Sequence, residues 1–234
     1  MKREVLEQLV KDRADKRPAV LVTNLDNGDQ VLWHPDNGKP LVLDGLDLSE
    51  RAYQALADDR SALIEEDGHP RLFLQVFNPP LRMLIVGAVH ITQPLAQMAD
   101  LAGFDVTVID PRAAFGSDVR FPGIPLSNAW PDEALEELAP DSRTAIVTLT
   151  HDPKIDDPAL IHAVRSDVFY IGALGSPRTH AKRVERLRQA GLGDDEIARI
   201  HAPIGLAIHA KSPAEIAVAI LAQVIESLRG SDRS

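Results

Sequence analysis

Short apolar runs and amphipathic segments alternate along the chain after residue 80. Apolar runs of strand length lie near 83–87, 105–109, 144–149 and 168–171. Segments with helical spacing of apolar residues fill the intervals, near 92–102, 132–139, 158–166, 177–190, 194–200 and 213–228. Because strands that alternate with helices build parallel sheets, the pattern predicts an α/β fold with a doubly wound, Rossmann-like parallel sheet.

The last helical segment has the clearest boundary signals. Ser212 and Glu215 have the spacing of a capping box, and Pro213 stands at the first helical position. The apolar stripe that follows consists of Ile216, Ala217, Ile220, Leu221, Val224, Ile225 and Leu228. Such a stripe predicts packing in the core, with a subunit interface as the alternative.

A different pattern precedes Asn78-Pro79-Pro80. The predicted elements there are strands at 19–25, 30–34 and 71–77 and a helix near 49–65. Asp26-Asn27-Gly28-Asp29, between the first two strands, is a hairpin-turn signal. We therefore divide the chain into a small α+β module at 1–78, a Rossmann-like domain at 81–229 and a tail at 230–234.

Composition narrows the classes of function. The formal net charge of −10 over 234 residues repels nucleic acid and anionic membranes, so neither is an expected partner. The absence of cysteine excludes disulfides, thiolate metal sites and cysteine nucleophiles from this chain. No apolar run approaches the ~20 residues of a membrane span, and residues 1–17 have the pattern of a charged helix rather than of a signal peptide. These features predict a cytoplasmic protein.

The turn after the first strand of the Rossmann-like domain resembles a dinucleotide-binding loop with two glycines replaced. The G-x-G-x-x-G template falls on Gly87, Val89 and Thr92, so only the first glycine is kept. Asp110 ends the second strand at about the spacing of ~20 residues expected for a ribose-binding carboxylate. We expect NAD(P) to bind weakly or not at all, because side chains replace glycines where a pyrophosphate approaches the backbone.

Polar or glycine residues follow every predicted strand of this domain. They are Gly87, His90, Asp110, Arg112, His151, Asp152, Gly172, Gly175, Ser176 and Arg178. Since ligands of open α/β sheets bind at the carboxyl ends of the strands, these residues are the predicted binding site.

The start of one helix is the most phosphate-like part of this set. Ser176 is placed to cap the helix and Pro177 to begin it, so that free N–H groups and Arg178 would face an anion. The same helix carries the basic residues Lys182, Arg183, Arg186 and Arg188. They are either a solvated face or a docking surface for an acidic partner or ligand tail.

The histidines have two interpretations each. His90 and His151 are either packing residues or ligand-facing groups beside Asp110 and Asp152. His201 and His209 bracket a loop with Pro203 and Gly205, for which a structural role is expected, with ligand contact as the alternative. No spacing such as H-E-x-x-H occurs, so no resident metal is assigned. No Tyr-Lys or similar hydride-transfer pair is evident either, and no catalytic residue is assigned.

Four separated segments together resemble one family. They read LIVGAVHITQPLAQMADLAGFDVTVIDPR, TLTHDPKIDDPAL, YIGALGSPRTHAKRVERL and RIHAPIGLAIHAKSPAEIAVAILAQVI. Over roughly residues 82–228 the chain resembles the C-terminal Rossmann domain of the xanthine dehydrogenase accessory (XdhC/CoxI) family. The resemblance implies a chaperone that binds the molybdenum cofactor (molybdopterin), assists its sulfuration by a cysteine desulfurase, and hands it to an apo molybdenum hydroxylase such as xanthine or carbon monoxide dehydrogenase. The pterin phosphate would then rest at Ser176–Arg178.

The chain departs from that family in two places. The family's G-A-G-H-V-G turn reads Gly87-Ala88-Val89-His90-Ile91-Thr92, which keeps the histidine and adds side-chain bulk. The N-terminal module lacks the family's G-S-x-P-R segment, its glycine-rich stretch and its cysteine-containing motif. A cysteine-dependent step therefore cannot occur in this chain, and a separate protein is the expected source of that half.

The sequence thus favours a maturation and delivery factor without turnover of its own. Two alternatives stay open: an NAD(P)- or FAD-dependent oxidoreductase that uses the same crevice, and a scaffold that only docks the dehydrogenase. A homodimer is the default expectation for a chain of this size.

Overall fold

The computed structural model describes residues 2–112 and 119–230, and the chain forms two compact units, Met1–Pro79 and Pro80–Ser234. In the part of the chain that is described, no helix combines the length and apolar character needed to cross a bilayer.

The first unit is an α+β module. Its elements are α1 (Arg3–Ala14), β1 (Ala19–Asn24), β2 (Gln30–Trp33), a 3-10 turn (Pro35–Asn37), β3 (Val42–Leu43), β4 (Leu46–Asp47), α2 (Ser49–Asp58), β5 (Ala62–Ile64) and β6 (Leu72–Phe77). An antiparallel sheet runs in the order β2-β1-β6-β5, and β3 pairs with β4. The predicted turn is confirmed, since the Asn24 side-chain oxygen accepts hydrogen bonds from the N–H groups of Asp26 and Asn27.

The predicted helix at 49–65 is wrong in its second half. Helix α2 ends at Asp58, and Asp59 adopts a left-handed conformation with φ +54°. Residues 62–64 instead form a strand that pairs with β6. Pairing within the sheet therefore overrides the helical pattern of the local sequence.

The second unit is a parallel α/β domain. Its elements are β7 (Arg82–Val86), α3 (Thr92–Leu101), β8 (Asp105–Ile109), β9 (Leu126–Ser127), α4 (Pro131–Leu138), β10 (Thr144–Thr148), α5 (Pro153–Arg165), β11 (Tyr170–Ala173), α6 (Pro177–Gln189), α7 (Asp194–Ala198), β12 (Ile200–His201) and α8 (Pro213–Arg229). The six strands are parallel in the order β12-β11-β10-β7-β8-β9. This is the strand order of dinucleotide-binding folds, and the predicted Rossmann-like sheet is confirmed.

Several element boundaries of the second unit differ from the predictions. The strand predicted at 168–171 is β11 at Tyr170–Ala173, and the helix predicted at 194–200 ends at Ala198. Strands β9 and β12 were not predicted, because two residues each leave no periodic signal. Helix α5 begins at Pro153 rather than near 158, because Asp152 caps it by accepting a hydrogen bond from the Lys154 N–H. The end of the predicted tail, 231–234, lies outside the described residues.

Helix α8 has the predicted capping box. The Ser212 hydroxyl accepts from the Glu215 N–H, and the Glu215 carboxylate accepts from the Ser212 N–H. Ala217, Ile220 and Val224 of its stripe are buried in the core, whereas Ile225 is exposed.

Candidate functional site

Strands β7 and β10 are neighbours, and the strand order reverses between them. In folds of this type, the crevice at the carboxyl ends of such a strand pair is where ligands bind. The loops that leave the two strands touch. Gly87 has φ +111°, and a Cβ atom added to it would lie 2.4 Å from Cγ2 of Thr150. Glycine is therefore required at this position by both conformation and space.

Asp110 joins the ends of β7 and β8. Its carboxylate, in a residue only 2% exposed, accepts hydrogen bonds from the Ala88 N–H at 2.7 Å and from the Arg112 N–H at 2.9 Å. The Arg112 guanidinium adds two more, at 2.9 and 2.8 Å. Burial alone would raise the pKa of Asp110, but the bonds from Arg112 and the Ala88 N–H outweigh it and hold the pKa below its ordinary value. Asp110 is thus an ionised acceptor whose partners are groups of the protein itself.

The expected steric obstruction by Thr92 is wrong. The Thr92 side chain is fully buried, and its hydroxyl donates to the Gly87 carbonyl. Val89 likewise packs against the hydrophobic core. Both residues that replace glycines are held by the interior of the domain.

Asp156, which sequence reasoning missed, organises the loop after β10. This residue is 1% exposed, and its carboxylate accepts from the Thr150 hydroxyl at 2.6 Å and from the His151 N–H at 3.0 Å. His151 itself has φ +65° and is exposed. Burial raises the pKa of Asp156, against the hydrogen bond from Thr150 and the charge of Arg183. Asp156 lies in the first turn of α5, which the sequence did not reveal because the predicted helix began near 158.

The loop after β11 lies beside that loop. Gly175 has φ +139°, and a Cβ added to it would lie 3.1 Å from Thr179 and 3.8 Å from Nδ1 of His151. Ser176 caps α6 as predicted, because its hydroxyl accepts from the Thr179 N–H at 3.2 Å. Arg178 is exposed in the first turn. The structure therefore brings His151 next to the start of α6.

The basic residues of α6 are not simply a solvated face. Arg186 forms two hydrogen bonds with Asp157, and Arg188 pairs with Asp194. Arg183 is 1% exposed and donates from Nη2 to the Leu174 carbonyl at 2.8 Å. For Arg183 the solvated interpretation is wrong, since the helix turns this charge inward.

The other predicted residues have different environments. His90 is exposed in the turn before α3, and Asp152 serves as the cap of α5. Gly172 lies within β11, where an added Cβ would be 2.4 Å from Ile204 Cδ1, so packing accounts for its small size.

His201 contacts another ring of the domain. Its ring stacks on that of Tyr170, with centroids 4.8 Å apart. His209 is exposed with φ +60°. Over residues 2–112 and 119–230, no group of three or more His, Asp or Glu side chains is arranged to hold a metal ion.

The parallel sheet, its strand order and the glycine turn at the reversal define a Rossmann-domain protein. Residues 83–224 match the family model described as the XdhC Rossmann domain. The chain belongs to this family.

Named relatives agree with that family. The chain is 33% identical over 162 residues to a probable xanthine dehydrogenase subunit of Bacillus subtilis, covering 69% of this chain and 47% of the relative. It is 30% identical over 148 residues to the molybdenum cofactor insertion chaperone PaoD of Escherichia coli, covering 63% and 40%. An uncharacterized Escherichia coli protein, YqeB, is 31% identical over 68% of this chain and 29% of its own. The matches thus span less than half the length of these relatives.

A solved structure has the same fold. A crystal structure described as a xanthine dehydrogenase of Bacillus halodurans superposes with a TM-score of 0.68, at 23% identity, over 99% of this chain and 66% of its own. At that identity the likeness concerns the fold alone.

Proposed function

We propose that this protein binds the molybdenum cofactor as cargo and delivers it during maturation of a molybdenum hydroxylase of the xanthine or carbon monoxide dehydrogenase type. Membership of the XdhC family and the similarity to a protein named a molybdenum cofactor insertion chaperone support the proposal. The observation that carries the proposal is that the groups expected to recognise a dinucleotide already bind one another within the protein. The Asp110 carboxylate accepts hydrogen bonds from Arg112 and from the Ala88 N–H. Polar groups therefore line the crevice, but the carboxylate that would accept hydrogen bonds from a ribose is occupied by donors of the protein.

The residues that would hold the cofactor lie at the start of α6 and in the loop beside it. The capped helix start at Ser176 has the polarity that favours a phosphate, and exposed Arg178 adds a charged donor. His151, adjacent to Gly175, and His90 would orient or shield the pterin. The two acidic groups, Asp110 and Asp156, act by positioning their loops.

The proposed partners are an apo molybdenum hydroxylase and a cysteine desulfurase. Because the chain has no cysteine, a persulfide cannot form on it, and sulfur transfer must be carried out by a partner. We propose that a separate protein supplies the family's cysteine-containing N-terminal module.

Copurification tests the proposal directly. The protein is isolated from a molybdenum-replete host, and the bound pterin is oxidised and measured by fluorescence. We expect pterin in the wild type and less in the His151→Ala and His90→Ala variants, together with restored activity when the loaded protein is mixed with an apo hydroxylase. Absence of pterin from the wild type and no activation of the hydroxylase would refute the proposal.

Arg178→Ala tests the anion contact. Loss of a charged hydrogen bond costs about 1.5–3 kcal/mol, so we expect cofactor affinity to fall about 10- to 100-fold while thermal stability is kept. Arg188→Ala is the matched control, because it removes the same charge from the same helix where Arg188 pairs with Asp194. Unchanged affinity in Arg178→Ala, or an equal loss in both variants, would contradict the assignment.

A further inference from the structure

A cavity of about 300 Å³ lies beside the starts of α5 and α6. Four basic side chains line it, Arg178, Lys182, Arg183 and Arg186, with His151 and the carboxylate of Asp156. Arg186 is already paired with Asp157. The other three cations still exceed the one lining carboxylate, in a protein of net charge −10. Like charges this close repel one another, and a bound anion would reduce that repulsion.

Arg183 is the buried charge of this cavity. Its Nη2 donates to the Leu174 carbonyl, but Nε and Nη1 are buried and have no hydrogen-bond partner in the described part of the chain. The Arg183 Nη2 lies 3.8 Å from the Asp156 carboxylate, which already accepts from Thr150 and His151. Buried charged groups are normally paired and hydrogen-bonded, so an unsatisfied guanidinium indicates a missing acceptor.

We infer that this cavity binds the oxygen atoms of a terminal phosphate monoester. A phosphate presents several strong acceptors to the guanidinium groups, and charge-assisted bonds of this kind are the strongest available to Arg183. The volume is at the lower end of the ~300–1,000 Å³ typical of ligand pockets, which suits one small charged group rather than a whole cofactor. That the phosphate belongs to the pterin cofactor rests on the proposed function; the anion site itself does not.

Phosphate titration of the whole 234-residue chain tests the site. The probes are inorganic phosphate and glycerol 3-phosphate, titrated into pterin-free protein by calorimetry at constant ionic strength. We expect both to bind, the monoester at least as tightly. Arg183→Met keeps the apolar stem and removes the donors, and the affinity should fall about 10- to 100-fold. Arg188→Met, with the same charge loss outside the cavity, should stay within about twofold of the wild type.

A second variant guards against misfolding of Arg183→Met. Lys182 is exposed on the rim of the cavity, so Lys182→Met should keep the wild-type melting temperature and still weaken phosphate binding several-fold. If wild type binds neither probe, or if Lys182→Met and Arg188→Met weaken binding equally, the inference is wrong. Binding of inorganic phosphate with exclusion of the monoester would overturn the assignment to a ligand's phosphate.

The outcomes separate this inference from the proposed function. Arg183-dependent phosphate binding by a protein that retains no pterin would support the site and refute the function. Pterin retention without any phosphate binding by the wild type would support the proposed function and refute the phosphate site.

Discussion

At the scale of single residues, Asp156 is the group on which the loop after β10 depends. Its buried carboxylate accepts from Thr150 and His151, and an amide in its place would turn an NH₂ group towards one of these donors. We expect Asp156→Asn to lower the free energy of unfolding by about 1–3 kcal/mol, measured by urea denaturation. Asp157→Asn is the control. It breaks only the pair with partly exposed Arg186, which should cost about 1 kcal/mol or less. Equal losses would contradict this role of Asp156.

Because of two partly buried histidines, we expect the melting temperature of the protein to fall at acidic pH. Burial lowers the pKa of His201, and burial together with the charge of Arg183 lowers the pKa of His180. Their contribution to stability is complete above the unfolded-state pKa of ~6.5 and is lost as the pH falls through the lower folded-state pKa. We expect the melting temperature to drop as the pH falls below about 6.5 and to drop less in His201→Gln. The exposed-site control His69→Gln should keep the wild-type dependence. A His201→Gln profile parallel to the wild type would contradict this prediction.

At the scale of elements, the contact between the loops after β7 and β10 sets the geometry of the crevice. Gly87→Ala would place a methyl group 2.4 Å from Thr150 Cγ2 in a left-handed backbone, and we expect a loss of about 2–4 kcal/mol in unfolding free energy. Gly103→Ala, at φ +90° with nothing within 4 Å of the added Cβ, isolates the backbone cost and should lose less. Thr150→Ser removes Cγ2, so it should recover part of the loss in the double variant. No recovery would show that the crowding is not at Thr150.

At the scale of the whole molecule, the sheet has the strand order of dinucleotide-binding proteins, but the Ala88 N–H and the Asp110 carboxylate, which would contact a dinucleotide, are hydrogen-bonded to each other. We therefore expect no micromolar affinity for NAD(H) or NADP(H), and no steady turnover of NADH or NADPH with carbonyl or quinone acceptors. The Ala88 N–H and the Asp110 carboxylate would have to separate before either could contact a dinucleotide. Calorimetry and absorbance at the nicotinamide band measure the two quantities. Multiple turnover that disappears in His151→Ala would reject the delivery role in favour of an oxidoreductase.

The sequence by itself determined the elements of the Rossmann domain. Strands buried on both faces and helices with an apolar stripe leave their period in consecutive residues, so β7, β8, β10 and β11 were predictable together with their helices. Caps were equally local, because Ser176 and Ser212 bond N–H groups only three residues away. The family resemblance, too, rested on linear motifs.

Only the tertiary structure decided which groups satisfy one another between elements. Thr92 turned inward, Asp110 bound the Ala88 N–H, and Arg183 was buried on a helix that looked solvated. The segment after α2 and the two-residue strands β9 and β12 likewise became strands only by pairing with a neighbouring strand of their sheet. Hydrogen bonds and pairings of this kind depend on how different elements pack against one another, and they leave no periodic pattern in the residues that form them.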